Sequence, residues 1–289
     1  MKLYAPSTIR EIKEKYGFRL TKSLGQNFLT DKNIIDDIIE GADIGENDLV
    51  IEIGPGIGVI TWEAAQVARK VIAVEIDRNL IPILKDTLAG QDNISIVNAD
   101  ILKTDVNALI DEARAADPEL AGVKIIGNLP YYITTPIIMK LLEDGVKADG
   151  ITIMMQKEVA DRIKAAPGTK AYGALSIAVQ YYCEVSSVVN VPKEVFVPQP
   201  KVDSAVLNLR ILADRPADVR DREIFFAVVK AGFGQRRKTL NNSLMGVAGI
   251  TKEIVADSLA AAGIDPTRRA ETLDLQEFAE LSNQVVLRL

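Results

Sequence analysis

The 289-residue chain contains no histidine and a single cysteine, Cys183. The lack of histidine excludes Ser–His and Cys–His nucleophilic pairs, histidine general bases and most zinc sites. One cysteine excludes an intrachain disulfide and favours a small core residue. No apolar run approaches the roughly 18–20 residues of a membrane span, so we expect a cytoplasmic protein. Any chemistry must therefore use carboxylates, amides, backbone groups and a cofactor.

The net charge of −6 does not by itself indicate a nucleic-acid-binding protein. Its distribution is uneven, because residues 1–30 carry six Lys or Arg against two Glu, a net of +4. An uneven distribution allows a basic face on an acidic protein. The catalytic domain is therefore expected to carry a basic N-terminal arm, which does not by itself identify a partner.

A strand followed by a glycine-rich turn lies near the start of the chain. The apolar run Leu49–Ile53 leads into Gly-Pro-Gly-Ile-Gly at positions 54–58, and a helical pattern follows. This unit is typical of nucleotide-binding α/β domains. The last glycine of a dinucleotide fingerprint is replaced by Val59, which disfavours a nicotinamide oxidoreductase.

Three further predicted strands lead to a polar residue: Val71–Val74 to Glu75, Ile94–Val97 to Asp100, and Val123–Ile126 to Asn128. The carboxyl ends of parallel strands meet at the edge of the sheet where ligands bind. At that edge Glu75 is suited to accept hydrogen bonds from ribose hydroxyls, and Asp100 from an adenine amino group. The sequence therefore predicts a nucleoside site.

The segment Asn128-Leu129-Pro130-Tyr131 predicts a second function at the same edge. Proline disfavours the helical region for the residue before it, so Leu129 stays extended. The side-chain oxygen of Asn128 and the carbonyl of Leu129 then form adjacent hydrogen-bond acceptors beside an aromatic ring. Such a group suits the exocyclic amine of a nucleobase.

The order of elements predicts an α/β catalytic domain over residues 1–212 and a small all-helical domain over residues 213–289. Two final strands, Val185–Val191 and Ser204–Ile211, are expected to pair antiparallel and complete a seven-stranded mixed sheet. In the helical region, Arg236, Arg237 and Lys238 lie at a predicted helix start. Cations there oppose the helix dipole, so contact with the phosphates of a nucleic acid is favoured over a solvated surface run.

Taken together, the sequence resembles the ribosomal RNA adenine N6-dimethyltransferases, specifically the bacterial small-subunit (16S) family. The resemblance covers nearly the whole chain. It rests on an ordered set of blocks: Gly25-Gln26-Asn27-Phe28-Leu29, Glu52-Ile53-Gly54-Pro55-Gly56, Glu75, Asp100, Asn128-Leu129-Pro130-Tyr131, Phe196-x-Pro198-x-Pro200-Lys201-Val202-x-Ser204 and Gln235-Arg236-Arg237-Lys238-Thr239-Leu240. The fold it implies is a Rossmann-like class I methyltransferase.

The resemblance implies S-adenosylmethionine as cofactor and no metal. The cofactor-binding residues it implies are Gln26, Asn27, Leu29, Gly54, Gly56, Glu75, Asp100 and Asn128. The residues it implies for adenine are Asn128, Leu129 and Pro130, with Tyr131 and Phe196 stacking on the extruded base. RNA binding is assigned to Lys201 together with Arg236, Arg237 and Lys238.

The implied reaction is N6,N6-dimethylation of two adjacent adenines. These adenines lie in the 3′-terminal hairpin loop of 16S rRNA, within an immature ribosomal subunit, and the enzyme is expected to be a monomer. Two alternatives remain open on the sequence: the large-subunit (23S) rRNA methyltransferases of the macrolide-resistance type, and a ribosome assembly factor with secondary catalysis. A DNA adenine methyltransferase shares the Asn-x-Pro-Tyr pattern, but the Gln26-Asn27-Phe28-Leu29 block and the helical tail argue against it.

Overall fold

The structure is a computed structural model that describes residues 2–17, 25–235, 237–247 and 249–289. The chain forms two compact units, Met1–Ala160 with Val185–Ile211, and Asp161–Glu184 with Leu212–Leu289. Residues 161–184 group with the C-terminal helices, whereas the sequence pattern places them in the catalytic domain. The functional division of the chain at residue 212 remains a prediction.

A seven-stranded mixed sheet dominates the first unit, as predicted. The strands of the described residues are β1 Phe28–Leu29, β2 Leu49–Ile53, β3 Lys70–Glu75, β4 Ile94–Asn98, β5 Val123–Asn128, β6 Gly150–Gln156, β7 Cys183–Val191, β8 Phe196–Val197 and β9 Ser204–Ile211. Their order in the sheet is β4-β3-β2-β5-β6-β9-β7. The strands from β4 to β6 pair in parallel, and β9 pairs antiparallel with β6. The carboxyl ends of β2 to β5 therefore share one edge.

Helices connect these strands and build the second unit. Those of the described residues are α1 Pro6–Tyr16, α2 Lys32–Gly41, α3 Val59–Ala65, α4 Ile81–Thr87, α5 Val106–Ala116, α6 Thr134–Glu143, α7 Lys157–Ile163, α8 Ala174–Tyr182, α9 Arg222–Gly234, α10 Leu240–Ser243, α11 Lys252–Ala261 and α12 Leu275–Val286. Within the described ranges, no helix is long and apolar enough to cross a membrane.

One helix boundary in the second unit corrects the sequence interpretation. The short helix α10 begins only at Leu240, with Thr239 at its N-cap. Arg237 and Lys238 therefore precede the helix instead of forming its first turn. Opposition to the helix dipole no longer distinguishes these cations from other surface cations.

The core of the first unit is a continuous aliphatic cluster, because the parallel strands are buried on both faces. It joins Ile35 and Ile38 of α2 to Val50 of β2 and Ile126 of β5. The side chain of Asp31 accepts a hydrogen bond from the backbone N–H of Asn33, which fixes the start of α2 as predicted.

The two-residue strands β1 and β8 anchor the segment before β1. Leu29 lies opposite Phe196 in this antiparallel ladder, and Phe28 and Leu29 belong to the same buried cluster. The backbone N–H of Thr30 donates to the carbonyl of Val195 at 2.8 Å. Residues 25–27, which come directly before β1, are held in place by this anchor.

Aromatic rings stabilise the second unit. The ring centroids of Phe233 and Phe278 are 5.6 Å apart, and the hydroxyl of Tyr172 donates to the carbonyl of Leu273 at 2.9 Å.

Cys183 is buried, and burial raises the pKa of its thiol to about 12. This confirms the prediction of a core residue and leaves the thiol unreactive at neutral pH.

Candidate active site

A cleft lies at the carboxyl ends of β2 to β5, where the sequence predicts a nucleoside site. Its lining combines the glycine-rich turn, three strand ends and the segment anchored by β1. The lining residues are Gly25–Leu29, Glu52–Gly56, Val59, Ile60, Val74–Ile76, Leu80, Ala99–Ile101, Asn128–Ile133 and Ile137. All predicted cofactor-binding residues lie in this cleft, so the fold brings together groups separated by about 100 positions.

The glycine-rich turn after β2 depends on left-handed backbone angles. Gly54 has φ = 69°, Gly56 φ = 61° and Gly58 φ = 89°, a region that side-chain-bearing residues rarely adopt. A Cβ atom on Gly56 would lie 3.0 Å from the ring of Phe28, so this glycine also permits close packing. At Gly54 the corresponding position is open, which leaves room for a ligand to approach the backbone.

Glu75, at the end of β3, is buried with only 4% of its surface exposed. Its Oε1 accepts a hydrogen bond from the backbone N–H of Asp77 at 2.7 Å, and its Oε2 accepts one from Gly56 N–H at 3.4 Å. Burial raises the pKa of Glu75 to about 7. Each oxygen retains capacity to accept a further hydrogen bond, as a pair of ribose hydroxyls requires.

Asp77 is a positioning residue that the sequence interpretation missed. The Nε2 of Gln26 donates to Asp77 Oδ2 at 2.9 Å, while Asp77 Oδ1 accepts from the backbone N–H of Asn79 at 3.0 Å. These contacts tie the segment before β1 to the end of β3. In the sequence, the only indication of this role is that a second carboxylate follows Glu75 by two positions.

Asp100 lies at the cleft beyond the end of β4. Its Oδ1 accepts a hydrogen bond from Leu102 N–H at 3.0 Å, and Lys103 Nζ lies 3.8 Å from its Oδ2. Ile76, also missed, lines the cleft next to Glu75 with 50% of its surface exposed. A carboxylate and an exposed aliphatic side chain together suit the edge and the face of a purine.

Asn128 and Leu129 present two hydrogen-bond acceptors. Asn128 Nδ2 donates to the backbone carbonyl of Asn27 at 3.0 Å. Because that carbonyl can only accept, the contact orients the amide and directs Oδ1 elsewhere. Neither Asn128 Oδ1 nor the Leu129 carbonyl has a hydrogen-bond partner within the described part of the chain.

The aromatic residues predicted to stack on the base are placed differently from one another. Tyr131 lines the cleft, and its hydroxyl is 2.7 Å from Ser204 Oγ on β9. Phe196 is only 3% exposed and packs in the core, outside the cleft lining. Tyr132, not singled out from the sequence, lines the cleft with 60% of its surface exposed.

The predicted RNA-binding cations belong to both units. Lys201 is exposed in the first unit, and Arg237 and Lys238 are exposed in the second. None of these three forms an ion pair with another described residue. Arg236 lies outside the described residues.

Comparison with known proteins identifies the family. Residues 17–285 match the family described as ribosomal RNA adenine dimethylase. The chain belongs to this family.

Three similar proteins illustrate the relationship. A protein named ribosomal RNA small subunit methyltransferase A from Clostridioides difficile (strain 630) is 53% identical over 282 residues, covering 98% of this chain and 96% of the relative. The crystal structure of a dimethyladenosine transferase from Plasmodium falciparum is 27% identical, with a TM-score of 0.72 over 88% of this chain and 95% of that one. The crystal structure of the 23S rRNA methyltransferase ErmE is 28% identical, with a TM-score of 0.66 over 90% and 99%. The predicted family and methyltransferase fold are confirmed.

The cofactor of this dimethylase family is S-adenosylmethionine, as predicted, and the cleft fits it. The open position at Gly54 accommodates close approach to the backbone, and Glu75 offers acceptors to a ribose. Asp100 adds an acceptor at the next strand end. The described residues contain no cluster of side chains suited to hold a metal ion.

Glu52 is a second buried carboxyl in the dimethylase cleft. It is 1% exposed, and its Oε2 accepts a hydrogen bond from the hydroxyl of Thr61. Burial, with a smaller contribution from the nearby charge of Glu75, raises the pKa of Glu52 to about 8 despite the hydrogen bond from Thr61. The folded protein therefore holds a proton on this carboxyl at neutral pH.

We predict that Glu52 makes stability decrease with rising pH. Between pH 4.5, the ordinary pKa of the group, and about pH 8, the folded protein keeps a proton on Glu52 that the unfolded chain releases. The free energy of unfolding therefore falls as the pH rises through this range and levels off above it. Glu52→Gln lacks this contribution. The wild-type free energy of unfolding should therefore drop by about 2–4 kcal/mol relative to the variant between pH 5 and 9.

Urea denaturation at several pH values measures this difference. The exposed Glu112→Gln, on α5, is the matched control and should follow the wild-type profile. Parallel profiles for wild type and Glu52→Gln would show that Glu52 ionises normally in the folded protein.

Proposed function

We propose that this protein transfers methyl groups from S-adenosylmethionine to N6 of adenine in small-subunit ribosomal RNA. The observation that carries the proposal is the pair of unpartnered acceptors, Asn128 Oδ1 and the Leu129 carbonyl, in the same cleft as Glu75 and Asp100. An exocyclic amine has two N–H donors, which matches two adjacent acceptors. Family membership supports the same reaction.

The acceptors would act by orienting the amine. The N6 lone pair of adenine is delocalised into the ring, so the amine is a poor nucleophile. Hydrogen bonds to Asn128 and Leu129 favour a pyramidal nitrogen, whose lone pair is less delocalised into the ring and is directed out of the ring plane toward the methyl group. The same hydrogen bonds stabilise the positive charge that develops on the nitrogen. Each transfer would form an N–C bond as the bond between the sulfonium sulfur and its methyl group breaks, which leaves the neutral thioether S-adenosylhomocysteine. The nitrogen would release a proton to solvent. When bound, S-adenosylmethionine supplies the electrophilic methyl group on its sulfonium.

The other site residues would hold the two substrates. Glu75 would bind the ribose and Asp100 the adenine amino group of the cofactor, with Gly54 and Gly56 against its methionine portion. The segment containing Gln26, Asn27 and Leu29 would close over it. Pro130 disfavours helical backbone angles at Leu129. The Pro130 carbonyl accepts hydrogen bonds from Ile133 N–H and Thr134 Oγ1 at the start of α6.

Aromatic contacts would hold the target adenine once it is extruded from the RNA. The hydroxyl contact with Ser204 fixes the edge of the Tyr131 ring and so limits its orientation. Phe196, whose ring is buried, would reach the base only after a rearrangement of the 196–202 segment. Tyr131 is therefore the better-supported stacking residue.

The proposed substrate is the pair of adjacent adenines in the 3′-terminal hairpin loop of 16S rRNA. The 53% identity to a protein named as a small-subunit methyltransferase favours this RNA, because similarity to the 23S enzyme ErmE is only 28%. We further propose that the substrate is an immature ribosomal subunit in the cytoplasm and that the enzyme acts as a monomer. The helical unit would contact the ribosomal RNA.

The test supplies labelled S-adenosylmethionine with undermethylated small ribosomal subunits, free large-subunit RNA and duplex DNA. Mass spectrometry of digested RNA should find N6,N6-dimethyladenosine in the small-subunit RNA alone. Label in large-subunit RNA would instead support the 23S alternative. Cofactor binding without transfer to any substrate would support the assembly-factor alternative.

We predict that Asn128→Ala lowers kcat at least about 100-fold, because the amine loses an acceptor that stabilises the transition state. Single-turnover methylation of small subunits measures the effect, and circular dichroism tests the fold. Asn33→Ala, an exposed asparagine on α2, is the control and should retain activity. Unchanged turnover by folded Asn128→Ala would refute the amine-orienting role.

We predict that replacing Arg237 and Lys238 by alanine weakens RNA binding and flattens its salt dependence. Each lost phosphate contact should reduce the slope of log K against log salt by about 0.7–0.9. Filter binding to small subunits at several salt concentrations measures the slope. Arg222→Ala with Lys252→Ala removes the same charge from exposed positions of the same unit. If the two double variants behave alike, net charge rather than phosphate contact explains the effect.

A further inference from the structure

Tyr132 is an exposed aromatic residue in the wall of the cleft. Of its surface, 60% is exposed, the largest fraction among the exposed large hydrophobic side chains of the described residues. Its hydroxyl has no hydrogen-bond partner in the same residues. Neither a hydrogen bond nor burial in the core therefore accounts for the ring.

The ring is nevertheless placed by its neighbours. Its Cε1 lies 3.7 Å from the position that a Cβ atom of Gly25 would occupy, and the Cβ of Pro130 lies 3.2 Å from that same position. Gly25 has φ = 60°, which strains any residue with a side chain. A side chain there would crowd Pro130 and would lie in ordinary van der Waals contact with the Tyr132 ring. The ring of Tyr132 thus rests beside the backbone of the segment that lines the cleft and leaves most of its surface free.

The position in the chain relates the ring to the proposed target base. Tyr132 follows Tyr131 directly and comes three residues after Leu129, whose carbonyl is one of the two acceptors. A base bound to those acceptors must leave its stack, which leaves the neighbouring nucleotide with an unstacked face. An exposed aromatic ring is the protein group that best replaces such a stacking partner.

We propose that Tyr132 stacks on the nucleobase next to the target adenine and thereby positions the RNA strand. This inference rests on the proposed function, since it requires an RNA whose target base enters the cleft. It makes Tyr132 a positioning residue for RNA. Stacking depends on the ring face and not on charge, so its loss should weaken binding equally at all salt concentrations.

The experiment compares wild type with Tyr132→Ala and Tyr132→Phe on undermethylated small ribosomal subunits. Filter binding should show a Kd raised about 5- to 100-fold for Tyr132→Ala, with the slope of log Kd against log salt unchanged. In steady-state assays the loss should fall on KM rather than on kcat. Tyr132→Phe should retain most of the wild-type affinity for RNA, because phenylalanine keeps the ring.

Further controls separate stacking from other roles. Calorimetry should give the same Kd for S-adenosylmethionine in wild type and Tyr132→Ala; a matching loss there would overturn the proposal and make Tyr132 part of the cofactor site. If Tyr132→Ala unfolds, Tyr132→Leu keeps an apolar side chain against Gly25 without a ring face. Wild-type affinity for RNA in a folded variant without the ring would also overturn it.

The activity of the wild-type protein separates failure of the proposed function from failure of the role of Tyr132. If wild-type protein transfers no methyl group to small-subunit RNA, both the proposed function and the inference on Tyr132 are wrong. Transfer by wild type together with undiminished RNA binding by the ring-deleted variants would overturn only the role of Tyr132.

Discussion

The parallel pairing of β2 to β5 is the constraint on which the site depends. Parallel strands direct their carboxyl ends to one edge, and the register of the ladders places the glycine-rich turn, Glu75 and Asn128 there. A slip of one residue would exchange the buried and exposed faces of a strand. Because these strands are buried on both faces, packing fixes the register firmly, and the rigid sheet can position ligand groups that are far apart in the chain.

A second constraint is the attachment of the N-terminal segment to this edge. The ladder between β1 and β8, the Gln26–Asp77 contact and the Asn128–Asn27 contact all join parts of the chain that are 50 or more positions apart. The segment thereby contacts both the end of β3 and the end of β5. This arrangement couples the cofactor side of the cleft to the acceptors for the target amine, so that one short segment supports both halves of the proposed reaction.

The chemistry suits a chain without histidine. Methyl transfer to an amine needs no covalent intermediate, and orientation by neutral acceptors can supply much of the catalysis. Glu52 and Glu75 show the cost of building such a site, because burial without a cation raises the pKa of both carboxyls. A site rich in buried acceptors is less stable alone than an apolar core of the same size, and donors on a ligand would offset part of that cost.

The sequence by itself determined the succession of the sheet strands along the chain and the glycine or polar residue at or just after the end of each of β2 to β5, because apolar runs and turn residues are local signals. It also determined the acceptor pair, since proline restricts its neighbour locally. Only the tertiary structure decided which way the Asn128 amide faces, that Asp77 holds Gln26, that Phe196 is buried while Tyr132 is exposed, and that residues 161–184 join the helical unit. The physical reason is that side-chain orientation and burial depend on partners distant in the chain, and no local pattern specifies those partners.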